Sequence, residues 1–224
     1  MDVFKAHVDL FKLIGLKYGT DKVTSHHYEH LYGKVLGPYL NTEINFLEIG
    51  LGCGMSYGPG KSIPIWKELF SKINISVLEY DEECANKFKN KVNNLYTGDQ
   101  SNLQLLDRIG QEVGPFDVIV DDGGHTRKQQ VNSVIGLWPY VASKGVYVIE
   151  DFFTSFLQKF NDNKESSFDL VMDLIILLNN PSLAGYSLNT QELPNIKITE
   201  HAKAISESLL SISCFERACV LFKK

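Results

Sequence analysis

The sequence predicts an α/β fold, a mostly parallel sheet of seven strands with helices on both faces, closed by an antiparallel C-terminal hairpin. Three observations carry this. A short apolar run, Phe46, Leu47 and Ile49 around Glu48, passes straight into glycines at 50, 52 and 54, which let the backbone take positive φ and come close to a ligand. From there to residue 152, apolar runs of strand length alternate with segments of helical period, the pattern of a parallel sheet. The tail, LLSISCF, then Glu216-Arg217, then ACVLF, reads as two strands joined by a tight turn. At 224 residues the chain has the length of one domain. It is read as a helical segment over 1–40, a ligand-binding core over 41–154, and a rim segment with the closing hairpin over 155–224.

Val3, Phe4, Val8, Phe11 and Ile14 fall near helical spacing, so an amphipathic helix over 3–16 opens the chain and Gly19-Thr20-Asp21 ends it. A second helix follows with Ser25 as its N-cap, Tyr28, Leu31, Tyr32, Val35 and Leu36 on one face, and Pro38 at its end. His26, His27 and His30 cluster here. His26 and His30 share a face, but no H-E-x-x-H pattern supports a metal, and they are read as solvated or substrate-facing. Beyond the glycine loop come a helix from Ile63 to Lys72 with Pro64 in its first turn, a strand from Ile75 to Leu78 ending in Glu79, and a helix over 82–91. A third strand, Leu95 to Thr97, runs into Gly98-Asp99-Gln100 and a helix containing Leu103, Leu105 and Leu106. Gly114-Pro115 breaks the chain before FDVIVDDGGH, where Val118, Ile119 and Val120 form a fourth strand with Asp121, Asp122 and His125 at its exit. A helix from Thr126 to Tyr140 and a turn at Ser143-Lys144-Gly145 lead to VYVIEDF, a fifth strand ending in Glu150 and Asp151. Residues 155–167 read as loop and 168–179 as an apolar helix; 180–202, with Pro181 and Pro194, receives no assignment.

Composition narrows the partners. The chain is 44% hydrophobic and 22% charged with a net charge of −5 and no Lys/Arg run, so a small molecule is expected and nucleic acid is not. A homo-oligomer is left open. No apolar run approaches the roughly 20 residues needed to span a bilayer, and the N-terminus lacks a signal-peptide core, so no membrane partner is expected and the cytoplasm is assigned by default. Cysteines at 53, 84, 214 and 219 form no C-x-x-C pair and no metal-type spacing. Reduced thiols are expected. Cys214 and Cys219 can face each other across the hairpin but are read as packed thiols.

Ligands of such sheets sit at the carboxyl ends of the strands, where Glu79, Asp99, Asp121, Asp122, Glu150 and Asp151 all fall. Two nucleotide fingerprints fail. The third glycine of G-x-G-x-x-G falls on Met55 or Tyr57, and the P-loop ending Gly60-Lys61-Ser62 lacks its first glycine, because Met55 stands there. What remains, E-x-G-x-G-x-G at the end of a first strand, resembles the cofactor loop of class I S-adenosylmethionine (SAM) methyltransferases. Glu79, ending the second strand, can accept the ribose hydroxyls of an adenosine-bearing cofactor, with Asp81 as the second choice. Asp99 stays open between a cofactor contact and an N-cap. Asp122, Glu150 and Asp151 crowd at two neighbouring strand ends, where their repulsion requires protonation or a bridging cation, and hard oxygen ligands suit Mg²⁺. Such an ion can hold substrate oxygens and lower the pKa of a hydroxyl, leaving His125, three residues past Asp122, as the general base. Asp121 is read as a helix cap because side chains alternate along a strand.

The runs YGTDK, HHYEHLY, FLEIGLGCG, GDQSN at 98–102, FDVIVDDGGH and VIEDFFTSF together resemble the metal-dependent macrolide sugar O-methyltransferases of the mycinamicin and demethylmacrocin type, across most of residues 17–156. The resemblance implies a Rossmann-like class I methyltransferase fold, Asp122, Glu150 and Asp151 as magnesium ligands, and His125 as base. It implies SAM contacts at Glu48, Gly50, Gly52, Glu79 and Asp99; Gly54, in the same loop, and Asp121 are also expected to be cofactor-binding, and Asp122 to be catalytic together with His125. Where the family commonly has Ser, Asp and Tyr, this chain has Gly124, Glu79 and Phe156, departures that leave the chemistry intact. The acceptor is not carried over, because residues 157–205 would form much of its rim. The implied activity is a SAM-dependent, Mg²⁺-assisted O-methyltransfer to a hydroxyl of a small secondary metabolite. The alternative is a methyltransferase-like fold that binds SAM without methylating. An NAD-dependent oxidoreductase fits neither the failed fingerprint nor the closing hairpin.

Overall fold

The computed structural model describes residues 3–180 and 198–224. Its sheet has seven strands, β1 (Glu43–Ile49), β2 (Lys72–Glu79), β3 (Asn94–Thr97), β4 (Phe116–Asp121), β5 (Val141–Ile149), β6 (Leu209–Phe215) and β7 (Ala218–Lys223), in the order β3-β2-β1-β4-β5-β7-β6. The first five run parallel. β7 pairs antiparallel with both β5 and β6, so the expected closing hairpin is present. β1, β4 and β5 are buried on both faces, which is why their cores read as continuous apolar runs and not as alternation.

Alternation along the strands still decides what each face holds. Phe46, Val118, Val120, Val146 and Val148 pack on one face with α1 (Val3–Tyr18), α3 (Glu29–Val35) and α4 (Ser62–Leu69). Leu47, Ile49, Phe116, Ile119 and Tyr147 pack on the other with α6 (Leu103–Val113), α7 (Arg127–Leu137), α8 (Ser167–Asn179) and α9 (Glu200–Ser208). The first face is knit by aromatics: Phe11 stacks on Tyr32 at 4.8 Å, and Trp66 lies 5.0 Å from Phe46 and 5.2 Å from Tyr32. Burial of such rings fixes the N-terminal helices against the sheet. That fixes everything they carry.

Several expected boundaries shift. Ser25 is not an N-cap; it ends a short helix, α2 (Asp21–Thr24), and α3 starts after Tyr28, whose ring is buried. The helix expected to reach Lys72 stops at Leu69 because Lys72 already pairs with Glu43 across β1 and β2. α5 (Glu82–Asn86) is shorter than the expected 82–91. The turn expected at 143–145 is an irregularity inside β5, where Lys144 takes φ 65° and the register against β4 shifts. In the stretch without assignment, α9 begins at Glu200, while Pro181 and Pro194 lie outside the described residues. No helix among the described residues is long and apolar enough to cross a membrane.

The cysteines are paired, contrary to the expected free thiols. Cys214 and Cys219 are direct cross-strand partners in the β6–β7 hairpin, with Cα atoms 4.1 Å apart, and form a disulfide. Cys53 in the glycine loop is bonded to Cys84 in α5, Cα atoms 6.0 Å apart. Spacing in the sequence carries no sign of the second pair, because it is the fold of the loop that brings residue 53 over α5.

Gly50 stands at the point where β1 leaves the sheet, with φ 93°, and a β-carbon there would fall on the carbonyl oxygen of Asp122. The backbones of the two strand exits cross at this point. Gly50→Ala is expected to destabilise the protein by about 2–4 kcal/mol through left-handed strain and this clash, measured by urea unfolding; a loss under about 0.5 kcal/mol would show that the crossing is loose.

Candidate active site

A cavity of about 660 Å³ opens over the carboxyl ends of β1, β2, β4 and β5, lined at one end by Gly50, Gly52, Gly54 and Glu79 and at the other by Asp122, His125, Glu150 and Asp151. The glycine loop supplies the first wall. Gly52 has φ 68°, and with Gly50 it keeps the backbone bare on the cavity side. Glu79 is buried and holds the loop: one carboxylate oxygen accepts from the Leu51 N–H at 2.7 Å, the other from the N–H groups of Tyr80 and Asp81 at 2.8 and 3.0 Å. An ionised carboxylate has about four acceptor positions, so capacity remains for a ligand hydroxyl. Asp81 lines the same end of the cavity while its carboxylate caps α5 at Cys84.

Strand alternation brings the acids to the opposite end. Asp122 continues the face of Val118 and Val120, and Glu150 that of Val146 and Val148, so both turn toward the N-terminal helices. There they meet Lys22 of α2, 3% exposed, whose Nζ lies 2.6 Å from Asp122 Oδ2 and 2.6 Å from Glu150 Oε2. The Tyr32 hydroxyl donates to the other oxygen of Glu150. Burial alone would lower the pKa of Lys22, but the charges of Asp122 and Glu150 outweigh it and hold the ammonium well above its ordinary value. Burial and the charge of Asp122 push Glu150 up, while Lys22 and Tyr32 favour its ionised form.

Asp151 should face away by alternation, yet it joins the site. Its backbone takes the left-handed conformation, φ 49° and ψ 36°, and Tyr28 pins it there: the Asp151 N–H donates to the Tyr28 hydroxyl at 3.1 Å, and that hydroxyl lies 3.0 Å from Asp151 Oδ1. His26 Nδ1 lies 3.1 Å from Asp151 Oδ1, and His125 Nε2 stands 3.4 Å from Asp151 Oδ2 and 3.8 Å from Asp122 Oδ1. Burial works to raise the pKa of Asp151, but the contact with His26 and the nearby His125 prevail and bring it down to about 2. The same contact raises His26.

One ligand atom each from Asp122, His125 and Asp151 lies within 4.8 Å of the others. The two carboxylates at that spacing fit a small hard cation, with the imidazole beside it. Glu150, expected as a third ligand, meets Lys22 with one oxygen and Tyr32 with the other, which fills two of about four acceptor positions of a carboxylate. Lys22 thus supplies part of the bridging charge that the crowded acids require. It stands in the YGTDK run but carried no sign of burial, since its partners are 100 and 128 residues away. Of the clustered His26, His27 and His30, only His26 lines the cavity.

Other expected residues fall outside the cavity. Glu48 is fully buried beneath the loop, accepts from the Ser62 hydroxyl at 2.8 Å, and is pushed by burial to about 7. Asp121 is neither in the cavity nor a cap. It faces the second layer, accepting from Gln100 Nε2 at 2.9 Å and from the Tyr147 hydroxyl at 3.1 Å, and the cap of α7 is Thr126. Gln100, which the sequence did not single out, also accepts from the Gly124 N–H at 2.7 Å and so fixes the Gly-Gly-His turn. Asp99 sits in a side groove and accepts from Ser101, while Asn102 caps α6.

The strand order, the glycine loop and the acidic exits are those of a class I methyltransferase fold. Comparison with known proteins agrees. No protein-family model matches the chain. Mycinamicin VI 2''-O-methyltransferase of Micromonospora griseorubida is 34% identical over 128 residues, 56% of this chain and 31% of that protein. Demethylmacrocin O-methyltransferase of Streptomyces fradiae is 32% identical over 181 residues, covering 80% of this chain and 44% of that one. The solved MycE methyltransferase of the mycinamycin pathway, in complex with Mg and SAH, superposes with a TM-score of 0.78 at 25% identity over 95% of this chain and 54% of its own. The chain therefore spans about half the length, or less, of the relatives it matches.

Burial raises the pKa of Asp121 to about 6 from an ordinary 3.8. The folded state thus binds this proton more tightly than the unfolded one, and stability is lost as pH rises from about 4 through about 6. Asp121→Asn removes that loss. The melting temperature of the variant relative to wild type should climb between pH 4 and 6 and then level off, the total gain being at most about 3 kcal/mol; a flat difference across that range would mean that Asp121 is not held in its protonated form.

Proposed function

We propose that the protein is a SAM-dependent, magnesium-assisted O-methyltransferase acting on a hydroxyl of a small hydroxylated secondary metabolite, and that residues 1–224 work as one methyltransferase domain. One observation carries this reading: a single cavity joins a glycine loop bare of side chains to Asp122, His125 and Asp151 at its far end. Gly50, Gly52, Gly54 and Glu79 would hold the cofactor, and Asp122, Glu150 and Asp151 the metal. When bound, the metal supplies Lewis acidity toward the acceptor oxygen and SAM supplies an electrophilic methyl group.

The chain's own part follows from charge and position. Acids line both ends of the cavity, Glu79 and Asp81 at one and Asp122 and Asp151 at the other, an environment that favours a cationic sulfonium and disfavours phosphates. His125 Nε2 faces both metal-side carboxylates, where it can take the acceptor's proton. The Thr154 hydroxyl donates to the His125 carbonyl at 3.2 Å and holds the loop in place. The names of the relatives support an acceptor hydroxyl on a natural product. The net charge of −5 supports a partner other than nucleic acid.

Two measurements test the reading with a panel of hydroxylated glycosides and SAM, reading out S-adenosylhomocysteine. Turnover should vanish with EDTA and return with MgCl₂; undiminished turnover in EDTA would overturn the metal role. His125→Ala should lower kcat by about 10²- to 10⁴-fold while S-adenosylhomocysteine affinity, by calorimetry, stays within about twofold. A stable variant with full turnover would remove His125 as the base.

A further inference from the structure

The glycine loop is fastened at both ends. Glu79 accepts the Leu51 N–H at its start, and at its close the Gly60 N–H donates to the Leu51 carbonyl at 2.7 Å while a β-carbon on Gly60 would fall on the Phe88 ring. Between these points the backbone bends through two turns, from the Met55 N–H to the Gly52 carbonyl at 3.0 Å and from the Gly58 N–H to the Met55 carbonyl at 3.1 Å. Such bonds shape the loop without tying it to the sheet. The Tyr57 hydroxyl bonds to Asp21 of α2 on one side, and the Cys53–Cys84 disulfide makes the tie on the side of β2. Cys53 lines the cavity, whereas Cys84, in the first turn of α5, is 7% exposed and donates its N–H to the Asp81 carboxylate at 2.9 Å. The bond thus joins the loop to the segment that follows Glu79 and Asp81, which line the same end of the cavity.

We propose that the Cys53–Cys84 pair is a thiol–disulfide exchange site that sets cofactor affinity: closed, it fixes the loop against α5 in the form that receives SAM, and open, it releases the loop and weakens binding. The inference rests on the cofactor reading above and goes beyond it. The reductant is a dithiol. One of its thiolates attacks at Cys53, the half of the pair that lines the cavity; the bond to Cys84 breaks, Cys84 leaves as a thiolate and takes up a proton, and the second thiolate of the reductant then displaces Cys53 and closes the reductant into a disulfide. The protein gains two electrons and two protons, and the dithiol loses them. A ligand seated along Gly50–Gly54 favours the closed pair, so binding and oxidation support each other by the same factor.

Calorimetric titration with S-adenosylhomocysteine, before and after anaerobic incubation with dithiothreitol, tests this without any turnover assay; alkylation and mass spectrometry report which cysteines are free. Opening Cys53–Cys84 should weaken binding about five- to tenfold, the loss expected when a loop holds its binding form for only about a tenth to a fifth of the time. The ratio of reduced to oxidised dithiothreitol that opens half of the pairs should rise by the same factor when S-adenosylhomocysteine is saturating. Cys84→Ser should start at the weakened affinity and not respond to the dithiol, although its Cys214–Cys219 pair stays reducible. If that variant does not fold, the double variant Cys214→Ser, Cys219→Ser carries the test, and it should lose affinity on reduction as wild type does. Equal affinity of closed and open protein would overturn the inference even if the melting temperature fell on reduction, because the bond would then be purely structural. A pair that stays closed in excess reduced dithiothreitol, or open in excess oxidised dithiothreitol, would overturn it as well. Oxidised wild-type protein that takes up no S-adenosylhomocysteine would sink the cofactor reading itself, and this inference with it.

Discussion

The contact that the rest of the site depends on is the bridge from Lys22 to Asp122 and Glu150. Two parallel strands that end side by side in acids cannot pack dry against a helical layer unless a positive charge meets them, because an unpaired buried carboxylate costs several kcal/mol. Lys22 meets both from a helix of four residues, and the next residue of that helix, Val23, belongs to the same buried cluster as Phe11, Tyr32 and Trp66. The ion pair therefore ties the N-terminal helices to the working end of the sheet across more than 100 positions of sequence. Without those helices the acids would have neither a lid nor a counter-charge.

Alternation and its single exception arrange the remaining groups. Asp121 and Asp122 are consecutive, and the pleat sends the first to Gln100 and Tyr147 in one layer and the second to Lys22 in the other. Glu150 and Asp151 are also consecutive, but the left-handed turn at Asp151, fixed by Tyr28, lets both serve the same end of the cavity. A non-glycine residue in that conformation is strained by about 1–3 kcal/mol, and here the strain places a carboxylate beside two histidines.

Much of this was legible in the sequence, for reasons that are themselves physical. Parallel strands buried on both faces must be continuous apolar runs, so their ends could be read, and with them Glu79, Asp122, His125, Glu150 and Asp151. Side-chain direction was legible only in part. Alternation separated Asp121 from Asp122, but the fate of Asp121 depended on Gln100 and Tyr147, partners that no local pattern reveals. Lys22 looks like any surface lysine, Cys53 and Cys84 meet only through the fold of the loop, and Asn102 won the cap from Asp99 by one turn of geometry. Long-range partners decided each of these.

The most direct test is a crystal soaked with MnCl₂ and S-adenosylhomocysteine, with the metal located by its anomalous scattering. The account predicts one peak at bonding distance from oxygens of Asp122 and Asp151, S-adenosylhomocysteine along the loop from Gly50 to Gly54, and the Lys22 ammonium still against Glu150. A Lys22 ammonium displaced from these acids, or no peak in this cavity, would contradict it.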